Sequence, residues 1–449
     1  MHRSRVRHRG DGAGAEPRAR GLPTRPAGGL DPPPPPGPGG GAPAGRDAAG
    51  ADASRGPRRA GGVNALTSLL LLLATAAGVH WLRGSLHSLR ETRAPGLART
   101  VSVVVPARDE EARLPVLLAS LARLDPAPAE VVVVDDGSRD ATARIAREAG
   151  ATVLTLHGPP SGWTGKAWAC HQGASAARGD LLLFLDADTE LEPGALGGLL
   201  TTYAARPQGL LSVQPFHVVR RGYEQLSAYF NAVSLLASGG FGARPPRRPM
   251  AFGPVLLTSK ADWVAAGTHA AVRAEVLDDV ALARAYDRVG LPVRCLVGGR
   301  AARMRMYPAG PRQLIEGWTK NFASGAAATS PLPAAAVTGW VAAHHAVAVG
   351  ALTWLVGLLS GAPADPDVPT SVVATAWVLA WAGVAAQLRS VLRRIGSFAW
   401  WTWLLFPVTL LAFDLVFARS VLLTGVRGSV RWRGRAVPTG LGRLRTEDH

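Results

Sequence analysis

Between residues 99 and 330, short apolar runs alternate with segments whose apolar residues recur every three or four positions. The runs have the length of β-strands, and the segments between them have helical periodicity. Such alternation predicts an α/β fold with a mostly parallel sheet that helices cover on both faces. The predicted strands are VSVVV (101–105), VVVV (131–134), TVLTL (152–156), LLLFL (181–185), LLSVQPF (210–216) and FGPVLLT (252–258).

Longer apolar segments flank this region. Residues 63–82 contain no charged side chain and are long enough to cross a bilayer at about 1.5 Å per residue, so we expect a transmembrane anchor there. A C-terminal membrane region is predicted at 334–423, with about three apolar segments at 334–359, 371–388 and 398–423.

The two ends of the chain have a different composition. Residues 1–62 are dominated by Gly, Pro, Ala and Arg, and cannot bury enough apolar surface to fold. We interpret them as a disordered basic arm, although they can also precede the true start of translation. Residues 424–449 form a basic tail, which leaves 99–330 as the globular domain.

The chain is strongly basic, with a formal charge of +17. Its arginine clusters flank apolar segments, and no basic surface with interleaved aromatic residues is visible, so we expect contact with anionic lipid and not with nucleic acid. The two cysteines, Cys170 and Cys295, form no disulfide framework and no metal-ligand pattern. This usage agrees with a reducing, cytoplasmic environment.

Loop charges predict the topology. Residues 361–369 carry no positive charge, whereas residues 389–397 carry three arginines, which places the second loop and the globular domain on the cytoplasmic side of the cell membrane. A single crossing by the last apolar segment would leave the basic tail outside. Because Pro407 and Asp414 interrupt that segment, we expect a re-entrant or interfacial hairpin there.

The strand LLLFL ends in two carboxylates one residue apart, Asp186 and Asp188. Residues two apart on an extended chain point to the same side, so both acids can face one hard cation. A divalent cation held in this way can neutralise a diphosphate leaving group, as a transferase that uses a nucleotide-sugar requires. A solvated turn is the alternative, since Asp is a favoured turn residue.

Polar residues also follow the first two strands. PARDEE (106–111) lacks the glycines of a dinucleotide-binding fingerprint, which excludes the usual dehydrogenase fold. In DDGS, Gly137 allows a tight turn, Ser138 can cap the next helix, and an acid can accept hydrogen bonds from uracil or ribose. A simple helix cap explains only part of this set.

Lys166 follows Gly165 at the predicted start of a helix. A helix N-terminus carries a partial positive charge, so a lysine beside it suits an anion. A solvated lysine is the alternative interpretation.

Taken in order and spacing, PARDEE, VVVVDDGSRDAT, GWTGKAWAC and FLDADT resemble the family 2 glycosyltransferases of GT-A fold. LLSVQPFHVV (210–219), MYPAG (306–310) and EGWTKNF (316–322) are similar to the branch of that family that glycosylates carotenoids. The resemblance implies a membrane-bound, inverting transferase that moves a hexose from a UDP-sugar to a lipid acceptor, with glucose as the first choice of hexose. A carotenoid acid or alcohol is the acceptor that it suggests.

The same resemblance implies roles for individual residues on the donor side. Asp135 and Asp136 would hold the nucleoside, and Lys166 would meet the base or the diphosphate. Asp186 and Asp188 would bind ribose and the metal ion, Mg²⁺ or Mn²⁺, with Asp188 as the first choice of metal ligand.

On the acceptor side, Asp278 and Asp279 occupy the place of the family's acidic base motif, with Asp279 as the first choice of base. Two acids at a helix start are also good partners of the helix dipole. A carboxylic acid acceptor would be ionised and would need no base. The family's Gln-x-x-Arg-Trp motif lacks its arginine in RQLIEGWTKN, and here Trp318 would stack on a substrate while Lys320 supplies the charge.

Other interpretations remain open from the sequence. The acceptor can instead be a hopanoid, a polyprenyl phosphate or a glycerolipid, and the chain can be a non-catalytic membrane scaffold. His217, His344 and His345 fit structural or interfacial positions better than metal sites. Asp414 can pair with Arg419 or face the mouth of the site.

Overall fold

The structure is a computed structural model that describes residues 99–427 apart from four short gaps, at 243–245, 276, 326–327 and 362–367. Outside that range it describes all of residues 86–92, scattered positions from 67 to 84, and the segments 429–432 and 435–438.

These residues all belong to one compact unit, Arg59–His449. The predicted arm at 1–62 and most of the predicted anchor at 63–82 lie outside the described residues, as do residues 439–449 of the basic tail.

A seven-stranded sheet forms the centre of this unit, with strand order β3-β2-β1-β4-β8-β6-β9. All of its strand pairs are parallel except those that β8 makes with β4 and β6. The expectation of a mostly parallel α/β sheet is therefore confirmed. Its strands are β1 (Val101–Ala107), β2 (Glu130–Asp135), β3 (Thr152–Thr155), β4 (Leu181–Leu185), β6 (Leu210–Gln214), β8 (Val255–Ser259) and β9 (Val293–Val297).

Five shorter strands form two small sheets. The first has the order β5-β10-β7, and the second pairs β11 with β12. These strands are β5 (Thr189–Leu191), β7 (Phe216–His217), β10 (Ala302–Met304), β11 (Ser429–Trp432) and β12 (Arg435–Pro438).

Helices connect the strands and extend the chain beyond the sheet. Those of the globular part are α1 (Leu114–Leu121), α2 (Thr142–Glu148), α3 (Gly165–Ala176), α4 (Ala195–Ala204), α5 (Ala228–Ser238), α6 (Lys260–Ala265), α7 (Asp278–Arg288) and α8 (Pro311–Gly325), with 3₁₀ turns at Gly222–Ser227 and His269–Val272. The C-terminal part contains α9 (Pro331–Leu359), α10 (Thr370–Ile395), α11 (Trp401–Leu404) and α12 (Phe406–Arg427).

Proline sets the limits of two predicted strands. The predicted strand at 210–216 divides at Pro215 into β6 and β7, which belong to different sheets. The strand predicted at 252–258 begins only after Pro254. Proline has no backbone N–H to donate to a ladder, so both strands are interrupted where it occurs.

The strands are buried on both faces. Val103 and Val105 pack in one apolar cluster with Leu183, whereas Val104 packs in another with Leu182. Successive side chains of a strand point to opposite faces, so the run VSVVV needs a hydrophobic layer on each side. The two clusters are those layers.

Gly173 lets α3 lie close against the sheet. A β-carbon at this position would come within 2.5 Å of Val104 Cγ1 and 2.8 Å of Val134 Cγ2. The close approach brings the helix, and with it Lys166 in its first turn, against the ends of β1 and β2.

Three helices are long and apolar enough to cross a membrane: Pro331–Leu359, Thr370–Ile395 and Phe406–Leu423. They pack together with α5 around Tyr229, Trp340 and Trp377. Their outward faces carry large exposed apolar side chains, among them Val356, Leu379, Leu411 and Leu415. Such a surface is suited to a bilayer and not to water.

The last apolar segment begins and ends against the globular part. At its start, the Ser397 N–H donates to the His217 carbonyl at 2.9 Å. Near its end, the Ser420 hydroxyl donates to the Thr319 carbonyl, also at 2.9 Å. Between these contacts the chain forms one continuous helix, Phe406–Arg427, without the turn that the expected hairpin requires.

Asp414 of α12 was expected either to pair with Arg419 or to face the mouth of the site. Asp414 pairs with His345 at 2.8 Å, whereas Arg419 donates to the Thr319 hydroxyl at 2.7 Å, so the expected pair between Asp414 and Arg419 is wrong. A carboxylate in apolar surroundings needs a partner, and His345 of the neighbouring helix α9 supplies it. His344 bonds to the Tyr229 hydroxyl, in agreement with a structural role.

We expect Gly173→Ala to destabilise the protein by about 1–3 kcal/mol, because the added methyl overpacks the junction of α3 with β1 and β2. Helix propensity alone predicts the opposite sign, a gain of about 1 kcal/mol for Ala over Gly. Thermal unfolding in detergent distinguishes the two. Ser175→Ala, at an exposed position of the same helix, is the control and should leave the midpoint close to that of the wild type.

Candidate active site

The acids and the lysine singled out in the sequence converge at the carboxyl ends of β1, β2 and β4. These strands are parallel neighbours, with Ala107 opposite Asp135 and Val104 opposite Phe184. Loops that follow parallel strands therefore emerge at one edge of the sheet, where ligands of such sheets bind.

Reciprocal hydrogen bonds join the loops after β1 and β2. The Asp109 N–H donates to the Ser138 hydroxyl at 3.0 Å, and the Arg139 N–H donates back to the Asp109 carboxylate at 2.8 Å. The expectation that Ser138 caps the next helix is therefore wrong. That helix begins at Thr142, four residues later, so the hydroxyl is used to fix the neighbouring loop instead.

Asp135 and Asp136 are both buried at this edge. The Asp135 carboxylate accepts the Ser138 N–H at 3.0 Å, which holds the turn at Gly137. Asp136 faces the Arg108 guanidinium at 3.7 Å. The first acid thus shapes the loop, while the second lies beside a partly exposed cation. The nucleoside-binding role of both residues stays a prediction.

Lys166 makes a close ion pair with Asp186, 2.7 Å between Nζ and Oδ1. Thr164 caps the helix on which the lysine lies, accepting the Ala167 N–H at 3.4 Å. Burial works against the lysine's charge, but the carboxylates of Asp186 and of the α7 acids hold its pKa well above the ordinary value. The lysine is therefore a charged group held by the acids of the site, with 38% of its side chain exposed.

Asp188 lies close to other carboxylates. Burial and the nearby Asp186 raise the pKa of the Asp188 carboxyl to about 6, against the opposing charge of Arg113. Two carboxylates that repel each other in this way form a site that gains from a cation.

Two further side chains belong to the surroundings of Asp188. Glu110 adds negative charge next to it, and the burial of Tyr307 together with Asp188 raises the pKa of the tyrosine hydroxyl. Tyr307 has a left-handed backbone conformation, φ 51°, which is rare for a bulky side chain. Its hydroxyl accepts a hydrogen bond from Asn321 of α8 at 3.3 Å.

Asp278 and Asp279 begin α7 at the opposite wall of the site. Both oxygens of Asp279 accept backbone N–H groups, from Gly253 at 2.8 Å and from Val280 at 2.9 Å. Even so, burial and the adjacent Asp278 raise the pKa of Asp279 to about 6. The carboxylate is oriented and only moderately acidic, as a proton acceptor near neutral pH should be.

Gly253 joins this wall to the lysine. A β-carbon on Gly253 would lie 3.0 Å from Asp279 Oδ2 and 3.2 Å from Lys166 Nζ. Only a residue without a side chain leaves these two groups beside each other. Sequence reasoning missed this glycine because its neighbours Phe252 and Pro254 read as part of a strand.

A small cavity lies between these groups, and its lining includes Lys166, Asp186, Asp278 and His269. The Trp263 indole N–H donates to His269 Nδ1 at 3.0 Å, and burial together with the charge of Lys166 lowers the pKa of His269 to about 3. The imidazole is therefore neutral. Sequence reasoning also missed His269 and Arg113 as members of the site, and it used Tyr307 only as part of the stretch MYPAG.

The structure does not open Trp318 to a substrate. Its indole is 3% exposed, stacks on Phe230 with ring centroids 5.1 Å apart, and donates to the Ser227 hydroxyl. The expected stacking role therefore requires a rearrangement, because the ring already packs in the apolar core. Lys320, two residues later on α8, is partly buried.

Asp186 and Asp188 fit a divalent metal ion by their chemistry, two hard oxygen donors with mutual repulsion. In the described part of the chain, no group of three or more His, Cys, Asp or Glu side chains forms a metal cage. Mg²⁺ and related ions are commonly held by one or two carboxylates while substrate phosphates complete the coordination. The donor set is of that kind.

Comparison with known proteins gives relatives for most of the chain. The profile of Glycosyl transferase family 2 matches residues 102–280. The 4,4'-diaponeurosporenoate glycosyltransferase of Staphylococcus haemolyticus (strain JCSC1435) is 38% identical over 279 residues, 59% of this chain and 74% of that protein. The protein of the same name from Staphylococcus aureus (strain USA300) is 34% identical over 342 residues, 75% of this chain and 88% of its own length.

Solved structures also resemble the chain. A mannosyltransferase from Pyrobaculum calidifontis, in complex with GDP-Man and Mn²⁺, superimposes with a TM-score of 0.46 at 18% identity, covering 79% of this chain and 98% of that one.

We expect Asp188→Asn to stabilise the metal-free protein at pH 8, on the order of 1–2 kcal/mol, because the native carboxylate is charged where burial and Asp186 oppose its charge. The folded-state pKa is above that of the unfolded chain, so the gain should grow as pH rises from about 4 to 6 and then level off. Thermal unfolding at pH 4.5 and pH 8 measures it.

Asp180→Asn is the control, and it should change the free energy of unfolding in the opposite direction. Hydrogen bonds from the Thr100 backbone N–H and hydroxyl lower the pKa of Asp180, so its loss should destabilise the protein at pH 8. A lower midpoint for Asp188→Asn than for the wild type at pH 8 would contradict the proposed repulsion.

Proposed function

The chain belongs to glycosyl transferase family 2. On that premise we propose that it transfers a hexose from a UDP-sugar to a lipid acceptor. Glucose is the first choice of hexose, and a carotenoid acid or alcohol is the first choice of acceptor. The glycosyltransferase activity and the GT-A fold come with the family. The observation that carries the acceptor is the similarity to two staphylococcal proteins named as diaponeurosporenoate glycosyltransferases.

That similarity is not confined to the sugar-transfer domain. A match of 342 residues is longer than the whole segment 99–330, so it necessarily includes sequence from the flanking regions. The three apolar helices lie in such a region. An acceptor dissolved in a bilayer has to be presented to a water-facing donor site, and helices attached to the catalytic domain support such presentation.

For the donor, we assign the nucleoside to Asp135 and Asp136, and the diphosphate to Lys166. The buried acids at the end of β2 offer oxygens to ribose hydroxyls or a uracil N–H. Lys166, at the N-terminus of α3, adds a fixed positive charge to that of the helix end.

Asp188, with Asp186 as its neighbour, would hold the Mg²⁺ or Mn²⁺ ion. The raised pKa of Asp188 supports this, since a carboxylate repelled by its neighbour gains from a bound cation. When bound, the ion supplies positive charge to the diphosphate leaving group. Lys166 already contacts Asp186, so the lysine also orients the acid pair.

Asp279 is the proposed general base, with Asp278 as the second choice. The acceptor hydroxyl would give its proton to the Asp279 carboxylate while its oxygen forms a bond to the anomeric carbon and the bond to the UDP leaving group breaks. Attack from the side opposite UDP inverts the anomeric centre. Backbone N–H groups of Gly253 and Val280 hold the carboxylate in one orientation for this step.

The chemical class of the acceptor decides whether that base is needed. A carotenoid alcohol must lose a proton, whereas a carotenoid acid is already ionised near neutral pH. We place the protein in the cell membrane with its catalytic domain in the cytoplasm, on the support of the arginines at the end of α10.

Asp279→Asn should lower transfer to a hydroxyl acceptor by 10²–10⁴-fold, because the amide cannot accept the proton. For the wild type, the rate with a hydroxyl acceptor should fall about tenfold for each pH unit below about 6, as Asp279 becomes protonated. Membranes with radiolabelled UDP-glucose, Mn²⁺ and either a carotenoid alcohol or a carotenoid acid measure both.

A carotenoid acid used equally well by the wild type and by Asp279→Asn would identify a glycosyl ester product and remove the base from the reaction. Absence of labelled lipid from the wild type with either acceptor would contradict the proposed acceptor class. Lipid extracts supplied in place of carotenoids then test the hopanoid, polyprenyl phosphate and glycerolipid alternatives.

Asp188→Asn should lose Mn²⁺-dependent binding of UDP, at least tenfold in Kd, although the variant stays folded. Isothermal titration of UDP with and without Mn²⁺ measures this. Glu148→Gln, at an exposed position of α2, is the control and should bind as the wild type does. UDP binding to Asp188→Asn that still responds fully to Mn²⁺ would show that another group holds the metal.

A further inference from the structure

Three arginines and a serine line an open groove of about 380 Å³ at the C-terminal end of α10: Arg389, Ser390, Arg393 and Arg394. We propose that this groove binds the phosphodiester headgroup of an anionic phospholipid. The site is separate from the sugar-transfer site and does not depend on which acceptor the enzyme uses.

Among the described residues, no acid balances the charge of the groove. In the part of the chain that the structure describes, no carboxylate oxygen lies within 4.0 Å of the three guanidinium groups, and all three side chains are exposed. Arg394 donates to the Leu86 carbonyl at 3.4 Å, and Arg389 lies over the Trp403 ring at 5.5 Å. These contacts orient two arginines but leave their charge uncompensated, which favours an anion.

The position of the groove along α10 identifies the anion as a lipid. From Thr370 to Arg389 the helix rises about 28 Å at 1.5 Å per residue, close to the roughly 30 Å thickness of the hydrocarbon core. Arg389 and Arg393 therefore lie at headgroup depth. Arginines one helical turn apart can contact the same phosphate from two directions.

Tryptophans mark the same depth. Trp400, 61% exposed, follows the end of α10, and Trp403 packs under Arg389. Tryptophan is enriched at the interface between headgroups and hydrocarbon, where its ring is apolar and its N–H is polar. An apolar wall beside a cationic groove suits a lipid, since the phosphate and the first part of the acyl chains are bound together.

The groove faces the leaflet next to the globular part of the protein. The end of α10 is fixed there, because Gly396 pairs with His217 of β7 and the Ser397 N–H donates to the same residue's carbonyl. A lipid held in the groove would set the depth at which the globular domain rests on the bilayer.

The test uses the full-length protein in nanodiscs of phosphatidylcholine alone or of phosphatidylcholine mixed with phosphatidylglycerol, and counts retained lipid by native mass spectrometry. The wild type should retain phosphatidylglycerol in preference to phosphatidylcholine. Arg389→Gln combined with Arg393→Gln should weaken that retention at least tenfold, because glutamine keeps a polar stem but lacks the charge.

Arg206→Gln combined with Arg288→Gln is the matched control, since it removes the same charge from exposed positions of the globular part. It should retain phosphatidylglycerol as the wild type does. Equal losses in both double variants, or equal retention of the two lipids by the wild type, would overturn the proposal. Displacement of the lipid by millimolar inorganic phosphate would likewise identify a free-anion site and overturn the lipid assignment.

Discussion

The dipeptide Gly253–Pro254 brings the two acid pairs of the site together, and the arrangement of the site depends on it. The Pro254 carbonyl accepts the Asp186 N–H at 3.0 Å, while the Gly253 N–H donates to the Asp279 carboxylate at 2.8 Å. Asp186 and Asp279 are far apart in the chain. The antiparallel pairing of β8 with β4 carries the dipeptide to the point where both can reach it.

This arrangement gathers like charges, which is unfavourable in itself. The carboxyl groups of Asp188 and Asp279 both have a pKa raised to about 6, and each unit of such a shift corresponds to about 1.4 kcal/mol. Lys166 offsets part of the repulsion by its ion pair with Asp186. The rest is maintained by the two apolar layers of the sheet, so the folded core stabilises a site that would be destabilising on its own.

The apolar helices are connected to the site through α8. The charge of Asp188 acts on the hydroxyl of Tyr307. The Tyr307 ring contacts the ring of Trp318 edge-on, and Trp318 stacks on Phe230 of α5. Phe230 in turn packs against Phe413 of α12. The continuous aromatic packing explains why Trp318 is buried. It also makes α8 the physical link between the sugar-transfer domain and the three apolar helices.

The sequence by itself determined most of the sheet, the three C-terminal apolar helices and the acids at the strand ends, because these follow from local periodicity and from the rule that parallel strands end at one edge. It did not determine contacts between segments distant in the chain. The hydroxyl of Ser138 binds the neighbouring loop, Asp414 pairs with His345 and not with Arg419, and Trp318 lies inside the core. Gly253, His269 and Tyr307 belong to the site only because strand pairing and helix packing bring them there, and no spacing along the chain records those distances.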